Sequence, residues 1–389
     1  MKSSTIFFYI MISFFIFIPF SFRLYLIFIS MIKNKKSIIE NNSKPHITIL
    51  IPAFNEENII SQTIYTTLSL DYKNYSILVV DDCSTDNTYS KLVEIQKNNA
   101  DKLQIVKNSN RMGKSSIMNY FIPKIKSDFI LILDANIFID NNALCNLVKK
   151  IDEKTGIVYG NLIFDKNKYS SITDKEINYW NFETNSKILQ EKHSNITSPV
   201  GGFYLLRKNC FVNIPQNCQI EDMFVLIEIL KKDMHSHFSE NSQGHELTVK
   251  SSFSEFKRKQ RIISGGYFIL FNQILSLKIF ALSKSDLLAL FFGKILRWII
   301  PVLFLILIVF SIFNFEEKTS QLFLLFNIIC VIAIFIEFTF NSLINIITKK
   351  NNVRVRLFNS FLYFYTIILA GICAIFYDNK DTLWVKEKR

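Results

Sequence analysis

Ser76-Ile77-Leu78-Val79-Val80-Asp81-Asp82 runs four apolar residues directly into two carboxylates. So short a run, apolar and β-branched throughout, predicts a strand buried on both faces. The same pattern recurs on either side of it, at Ile47-Thr48-Ile49-Leu50-Ile51, Gln104-Ile105-Val106 and Phe129-Ile130-Leu131-Ile132-Leu133. Polar helical stretches separate the runs, and this alternation predicts an α/β domain on a Rossmann-like mixed sheet. Parallel connections of this kind place ligands at the carboxyl ends of the strands. Asn55-Glu56-Glu57, Asp81-Asp82 and Asp134 all fall there, so three successive strand ends carry acids. No GxGxxG follows the first strand, which argues against a dinucleotide-dependent dehydrogenase.

The chain has 389 residues, 49% of them hydrophobic and 38 of them Phe, with a mean hydropathy of +0.22. Such a chain is too apolar for one soluble domain, yet its middle has ordinary polar content, which predicts a soluble domain joined to membrane spans. A net charge of +12 raises the question of nucleic acid. No basic helix or RNA-binding aromatic signature accompanies it, and many Lys and Arg flank the apolar runs, so membrane lipid is the expected partner and nucleic acid is not. Six scattered cysteines without a CxxC pair fit a reducing compartment.

The apolar run from about Ile6 to Met31 is long enough to span a bilayer despite Arg23, and residues 1–32 are expected to be an anchor. Lys33, Lys35 and Lys36 follow it, against Lys2 before it. The positive-inside rule then places the domain that follows in the cytoplasm, on the inner face of the cell membrane. Three further runs, Leu287–Phe313, Leu322–Ile347 and Leu357–Tyr377, predict about three spans within 286–378, with a tail at 379–389 whose basic residues do not fit the charge alternation. Residues 45–265 are left as the soluble domain, and 266–285 read as an interfacial helix.

Each polar cluster has two readings. Asp81-Asp82 could read a uracil N–H or ribose hydroxyls, or belong to a turn in which Ser84, Thr85 and Asp86 cap a helix. Asp134-Ala135-Asn136 suits a hard divalent cation, Mg or Mn, that takes one or two protein oxygens and the rest from diphosphate and water; a turn cap is the alternative. Arg111-Met112-Gly113-Lys114-Ser115 lacks the upstream glycine of a phosphate loop. Lys114 at a helix start could still meet a phosphate, or remain a solvated lysine. Glu221-Asp222 opens an apolar-periodic helix, where acids favour the positive helix end; as a catalytic pair, one would deprotonate an acceptor hydroxyl while its neighbour orients it. Gly201-Gly202 would let an acceptor approach the backbone. Arg258 and Arg261 share a helix face and could clamp a departing diphosphate, or be part of a solvated basic run at a membrane face. His235 and His237 share a strand face, but without companion ligands they do not indicate zinc. His46, His193 and His245 carry no stronger signal.

Taken in order, these segments resemble the family-2 glycosyltransferases, membrane-bound inverting enzymes with a GT-A nucleotide-sugar domain. The resemblance covers about Pro45 to Gly266 and rests on Ile51-Pro52-Ala53-Phe54-Asn55-Glu56, Val80 to Asp86, Arg111 to Lys114, Asp134 to Asn136, Ile220 to Asp222 and Arg258 to Arg261. It implies a uridine site at Asp82, with help from Asp81 and Glu56 in a cleft that includes Pro52. It also implies metal at Asp134 with Asn136, a base at Asp222 beside Glu221, and diphosphate contact by Lys114 and Arg261 with Arg258. Three departures stand out. The usual Gly after the Asp pair is Cys83, the second Asp of the metal motif is Asn136, and the QxxRW signature of polymer-forming synthases reads Arg258-Lys259-Gln260-Arg261-Ile262. The missing Gln and Trp favour transfer of one or a few sugars to a lipid-linked or cell-surface glycan acceptor over a processive polysaccharide synthase. A noncatalytic nucleotide-sugar-binding protein or scaffold would leave the Asp222 and Arg261 clusters without a role.

Overall fold

In the computed structural model the four expected strands become β1 (Ile47–Ala53), β2 (Tyr75–Asp81), β3 (Leu103–Lys107) and β4 (Phe129–Leu133). They interleave with α1 (Ile60–Leu68), α2 (Thr88–Lys97) and α3 (Lys114–Phe121). The structure describes residues 10, 21–29, 31, 44–164, 174–246, 252–274, 278–330, 332 and 359–375. Beyond β4 come β5 (Ile137–Ile139), α4 (Ala143–Val148), β6 (Thr155–Phe164), α5 (Asp174–His193), β7 (Phe203–Arg207), α6 (Glu221–Lys231) and β8 (His235–Glu246). All eight strands form one sheet in the order β3-β2-β1-β4-β7-β6-β8-β5.

β1 pairs in parallel with β2 on one side and β4 on the other, and β2 with β3. The chain therefore reverses its direction of winding at β1, and the crevice outside its carboxyl end is where such sheets bind ligands. Pro52 lies beyond the β1–β4 ladder, which ends at Leu50↔Ile132, so its missing N–H costs no bond on that side. β7 runs antiparallel to β4, with Leu133 opposite Phe203. This reversal brings the segment before β7 to the carboxyl end of β4. β6 is antiparallel to β7 and parallel to β8, so β4, β6 and β8 all point the same way.

One core cluster underlies the sheet, with Ile49, Ile51, Val79, Leu131 and Leu133 packed under Ile60 and Ile64 of α1, Leu92 and Ile95 of α2, and Leu144 and Leu147 of α4. The Phe203 ring, fully buried, fills a space left by two glycines. A Cβ on Gly160 would lie 2.1 Å from Phe203 Cε1, and one on Gly244 would lie 3.1 Å from Cδ1. Gly160 falls at a register shift between β6 and β8, where a side chain is dispensable and the neighbouring ring takes its place.

The chain divides into two compact units, one of Phe22–Glu255 with Phe268–Lys294, the other including Phe256–Tyr267 and Ile295–Tyr377. In the first, a helical segment at 21–29 packs Phe22, Tyr25 and Leu26 around Ala289 of α8 (Lys284–Leu290). Tyr25 Oη donates to the Ser285 carbonyl at 2.8 Å. Ser283 caps α8 by accepting from Asp286 N, and Asn195 Nδ2 donates to Asp286 Oδ2 at 3.1 Å. In the second unit, a Cβ on Gly266 of α7 (Ser252–Ile269) would fall 2.6 Å from the Trp298 indole of α9 (Leu296–Phe313). Gly371 of α10 (Asn359–Ile375) meets Pro301 in the same way at 2.3 Å. Small residues at such crossings let helices approach closely.

Among the described residues one helix, Lys284–Phe313, is long and apolar enough to cross a membrane. It contains the expected span Leu287–Phe313. The expected anchor at 1–32 and the run Leu322–Ile347 lie largely outside the described residues, and of Leu357–Tyr377 the 17 residues of α10 are helical. The stretch read as one interfacial helix, 266–285, is divided: α7 ends at Ile269, a π-turn spans Leu270–Ile274, a 3-10 turn spans Lys278–Ala281, and α8 begins at Lys284.

The Phe203 packing predicts that Gly160→Ala destabilises the fold by about 1–3 kcal/mol through overpacking. Adding Phe203→Leu should recover part of that loss in thermal denaturation, a coupling that two independent sites would not show.

Candidate active site

Asp81 and Asp82 leave β2 with different tasks. Both oxygens of Asp82 are occupied: Oδ1 accepts from Asn108 Nδ2 at 3.0 Å and from Met112 N at 2.8 Å, and Oδ2 accepts from Gly113 N at 2.8 Å. Asp82 thus pins the 108–113 loop, where Gly113 sits at φ 80°. Asp81 is fully buried; one oxygen accepts from Ser84 N at 3.3 Å and Oδ1 has no partner. Burial raises the Asp81 pKa, against the hydrogen bonds from Ser84 that lower it. Asp82, the residue expected at the uridine, thus also latches this loop, and the carboxylate oxygen without a partner belongs to Asp81. Cys83 stands at φ 63°, the left-handed region where glycine is at ease and other residues pay about 1–2 kcal/mol. This accounts for glycine being usual at the position. Asn55, at φ 54°, accepts from Thr85 N at 2.8 Å and so ties the loop after β1 to the loop after β2. Glu56 is buried, and its N–H donates to Thr88 Oγ1 at 2.7 Å.

The pinned loop carries Arg111 and leads into Lys114. The Arg111 guanidinium lies 3.8 Å from the centroid of the Phe54 ring, with Nε and Nη2 buried and without hydrogen-bond partners. Burial lowers its pKa, while the nearby Asp82 opposes that shift. A stacked guanidinium with open donors in a ligand crevice is suited to phosphate oxygens. Sequence reading passed over Arg111, although its place three residues before Lys114 was the available signal.

Lys114 itself is enclosed by acids. Its ammonium lies 2.7 Å from Asp134 Oδ1 and 2.7 Å from Glu221 Oε1. Burial pulls the Lys114 pKa down, but Asp134 and Glu221 outweigh it and leave it well above the usual lysine value. The lysine expected at a phosphate is here the counter-ion of two carboxylates. Behind it stand Tyr204 and Tyr159, fully buried, with ring centroids 5.8 Å apart; burial raises both phenols well above their ordinary range.

Asp222, at the start of α6, lies beside Glu221, and its Oδ1 accepts from Met223 N at 2.8 Å. Burial first, then the Glu221 charge, push its pKa up to about 6, while Lys114 works in the other direction. Gly201 and Gly202 meet the two acids directly. A Cβ on Gly201 would sit 3.2 Å from Asp222 Oδ2, and one on Gly202, at φ 77°, would sit 2.3 Å from Asp134 Oδ2. The Asp134 N–H donates to the Gly202 carbonyl at 2.8 Å, and α1 supports the turn through Thr63 Oγ1 on the Ala135 carbonyl at 2.6 Å.

Asn136 is 1% exposed. Its Nδ2 donates to Glu246 Oε1 at 2.9 Å, and its Oδ1 is buried without a partner. A divalent cation fits this donor set: Asp134 Oδ2 faces the space that a Gly202 side chain would fill, Asn136 Oδ1 is unsatisfied, and the Glu246 carboxylate supplies the charge that Asn136 lacks. Glu246, at the end of β8, was not visible as part of the site in the sequence because only the sheet brings it to β4. Asp81, Asp82, Lys114, Asp134, Asn136, Glu221 and Asp222 thus gather in the first unit. Arg258 and Arg261 lie on α7 within the second unit.

Residues 48–214 match the family described as Glycosyl transferase family 2. The chain carries a family-2 glycosyltransferase domain. Over 273 residues it is 27% identical to the poly-β-1,6-N-acetyl-D-glucosamine synthase of Staphylococcus aureus (strain MSSA476), a match covering 63% of this chain and 65% of that protein. It is 25% identical over 358 residues to the synthase of the same name from Staphylococcus epidermidis, covering 86% of this chain and 83% of that protein. The match thus spans slightly less than two thirds of the S. aureus relative's own length. The fold is shared with the mannosyltransferase PcManGT from Pyrobaculum calidifontis, solved in complex with GDP-Man and Mn2+, at a TM-score of 0.65 and 15% identity over 95% of this chain and 97% of that one.

The family-2 domain depends on Lys114 to neutralise its acids. Lys114→Met should cost about 3 kcal/mol of thermal stability, the loss expected when one partner of a buried ion pair is removed. Lys114→Met/Glu221→Gln should recover part of it; a Lys114→Met protein as stable as the parent would show that the ammonium is not holding the cluster together.

Proposed function

We propose that this chain is an inverting glycosyltransferase that moves a sugar from a nucleotide-sugar, a UDP-sugar, to a hydroxyl of a lipid-linked or cell-surface glycan, with its family-2 domain at the cytoplasmic face of the cell membrane. The observation that carries this reading is Asp222, a part-buried carboxylate at a helix start with its pKa raised to about 6 and glycine backbone beside it. A base with a pKa close to working pH is poised both to be ionised and to accept a proton. Asp222 takes the proton of the acceptor hydroxyl as that oxygen attacks the anomeric carbon. The new C–O bond forms on the face opposite the bond to diphosphate, which breaks and leaves its electron pair with the nucleoside diphosphate, so the configuration inverts.

The other residues position and neutralise. Asp82 holds the 108–113 loop so that Arg111 presents its open N–H groups to the diphosphate, and Asp81 offers its unpartnered oxygen on the nucleoside side, with Glu56 and Pro52 lining the same crevice. Lys114 keeps Asp134 and Glu221 apart from Asp222 electrostatically, and Glu221 tunes the base. Arg258 and Arg261 are assigned to the departing diphosphate. Asp134 and Asn136, with Glu246 in support, would hold the divalent cation, Mg or Mn, which when bound neutralises diphosphate charge.

A processive polysaccharide synthase is the second reading, favoured by relatives named as polymer synthases whose likeness extends over as much as 86% of this chain. The departure at Arg258-Lys259-Gln260-Arg261-Ile262, which lacks the Gln and Trp of the polymer-synthase signature, supports single or few transfers. N-acetylglucosamine is the first donor sugar to test, because those relatives bear its name.

Labelled UDP-N-acetylglucosamine and other UDP-sugars, supplied with Mn or Mg to membranes containing the protein, should deliver label to the lipid fraction, whereas label in high-polymer material would establish the processive reading. Asp222→Asn should lower transfer by about 10²–10⁴-fold, as loss of a general base does. The same variant should raise the melting temperature at neutral pH, since the fold disfavours the charged form that it removes. Turnover at the parent rate in Asp222→Asn would sink the assignment. kcat/KM should climb with pH through an apparent pKa near 6, and Glu221→Gln should move that limb to lower pH because it deletes a charge that raises it.

A further inference from the structure

At the amino ends of β6 and β8, the sheet edge opposite Asp134, a second set of polar side chains converges that the transfer reaction does not use. His235 and His237 lie two residues apart on β8 and so share a face, and the β6–β8 register places Thr155 opposite His235. Asp152, in the turn before β6, completes the group. Its Oδ2 is 3.8 Å from His235 Nδ1 and 3.9 Å from His237 Nε2, and one donor atom from each of the three lies within 4.8 Å of the other two. The companion ligand that the histidine pair lacked in the sequence is therefore present, brought in from the other strand.

An independent observation indicates that this cluster is built around something. His237 is 6% exposed, yet its Nε2 has no hydrogen-bond partner. Its Nδ1 lies 3.2 Å from Glu191 Oε1, and Glu191 is fixed in turn by Phe238 N, which donates to Oε2 at 2.7 Å. The carboxylate on Nδ1 orients the ring so that Nε2, buried and without a hydrogen-bond partner, faces Asp152 Oδ2 at 3.9 Å. A metal ion between the two would satisfy both. Asp152 is tied in the same manner: Thr155 Oγ1 donates to its Oδ1 at 2.7 Å, so Oδ2 is the oxygen turned to the imidazoles. Orienting hydrogen bonds behind both a histidine and a carboxylate are the usual outer support of a metal site.

We propose that Asp152, His235 and His237 bind a zinc-class divalent transition metal that fastens β6 to β8 and, through Glu191, to α5. Two imidazoles and one carboxylate form a mixed N/O set, which suits Zn2+ rather than Mg2+ or Ca2+. A tetrahedral ion with bonds near 2.0–2.1 Å sets its ligands roughly 3.3 Å apart, so the triad closes by about half an ångström on each carboxylate–imidazole side. The side chains of Asp152 and His235 are 43% and 34% exposed, which leaves a solvent-facing position for a fourth ligand. This ion is distinct from the one assigned to Asp134: the two sites stand at opposite ends of β8, on the order of 30–35 Å apart by strand length.

The test is Co2+ binding to the full-length, chelator-stripped protein carrying Asp134→Asn, which removes the donor-cleft metal and any dependence on transferase activity. One equivalent of Co2+ should give the intense visible absorption of a four-coordinate ion, be displaced by Zn2+ and resist excess Mg2+. Glu191→Gln should weaken binding 10–100-fold, the usual effect of removing an orienting partner. His237→Ala should abolish the absorption while His193→Ala leaves it intact, and His235→Ala, at a half-exposed position, provides the same loss should the buried variant fail to fold. No absorption in the parent, or absorption that survives in both His235→Ala and His237→Ala, would overturn the proposal.

Discussion

One buried ammonium holds the active end of this sheet together. Lys114 at the start of α3 reaches Asp134 at the end of β4 and Glu221 at the start of α6, so one cation joins three elements that are remote in sequence. Two acids and a third, Asp222, cannot be packed this closely in a dry cleft without a partner, because each buried charge needs compensation. The cost of assembling them is met by Lys114, and the imbalance that remains falls on Asp222. Burial and the neighbouring Glu221 charge raise the Asp222 pKa to about 6, and Lys114 only partly offsets them.

The parallel half of the fold was readable because its strands are short, apolar and punctuated by acids. The four runs beginning at Ile47, Ser76, Gln104 and Phe129 match β1 to β4 closely; β1, β2 and β4 are buried on both faces as expected, whereas β3 at the sheet edge is buried only at Leu103. The second half was not read, and for a physical reason. β6 and β8 mix Gly160, Asn161, Ser236, Ser239 and Gly244 with apolar residues, and what lets them pack is a Phe203 ring lodged against two glycines, a contact invisible to any periodicity. Site residues followed the same divide. Acids at strand ends announced themselves; Glu246, Arg111 and the partners of Lys114 are defined only by pairing across the sheet or by an unsatisfied donor. Asp82 was legible as important, but its hold on the 108–113 loop was not, since local sequence does not show which backbone N–H groups a carboxylate will meet. His235 and His237 show the reverse failure, discounted for want of a ligand that the neighbouring strand supplies.

Glycine is used in this protein mainly as absence. At Gly201 and Gly202 the missing side chains leave room beside Asp222 and Asp134. At Gly266 and Gly371 they admit an indole and a proline ring between helices of the second unit. Cys83 is the counter-example, a side chain kept where the backbone would prefer none, and its cost shows that the loop after β2 is held by its hydrogen bonds strongly enough to absorb strain.

The antiparallel seam between β4 and β7 divides the site by order along the chain as well as by geometry. Everything on one side of it, from Asp81 to Asp134, is encoded before Asn136; the open backbone of Gly201 and the carboxylate of Asp222 are encoded after β6 and α5 have intervened. A crossover anywhere in that interval would exchange the second group as a block while leaving the first untouched, provided the incoming strand still pairs with β4. Such a seam would let the two groups vary separately, provided that the five-residue ladder and the Lys114–Glu221 pair that join them are kept.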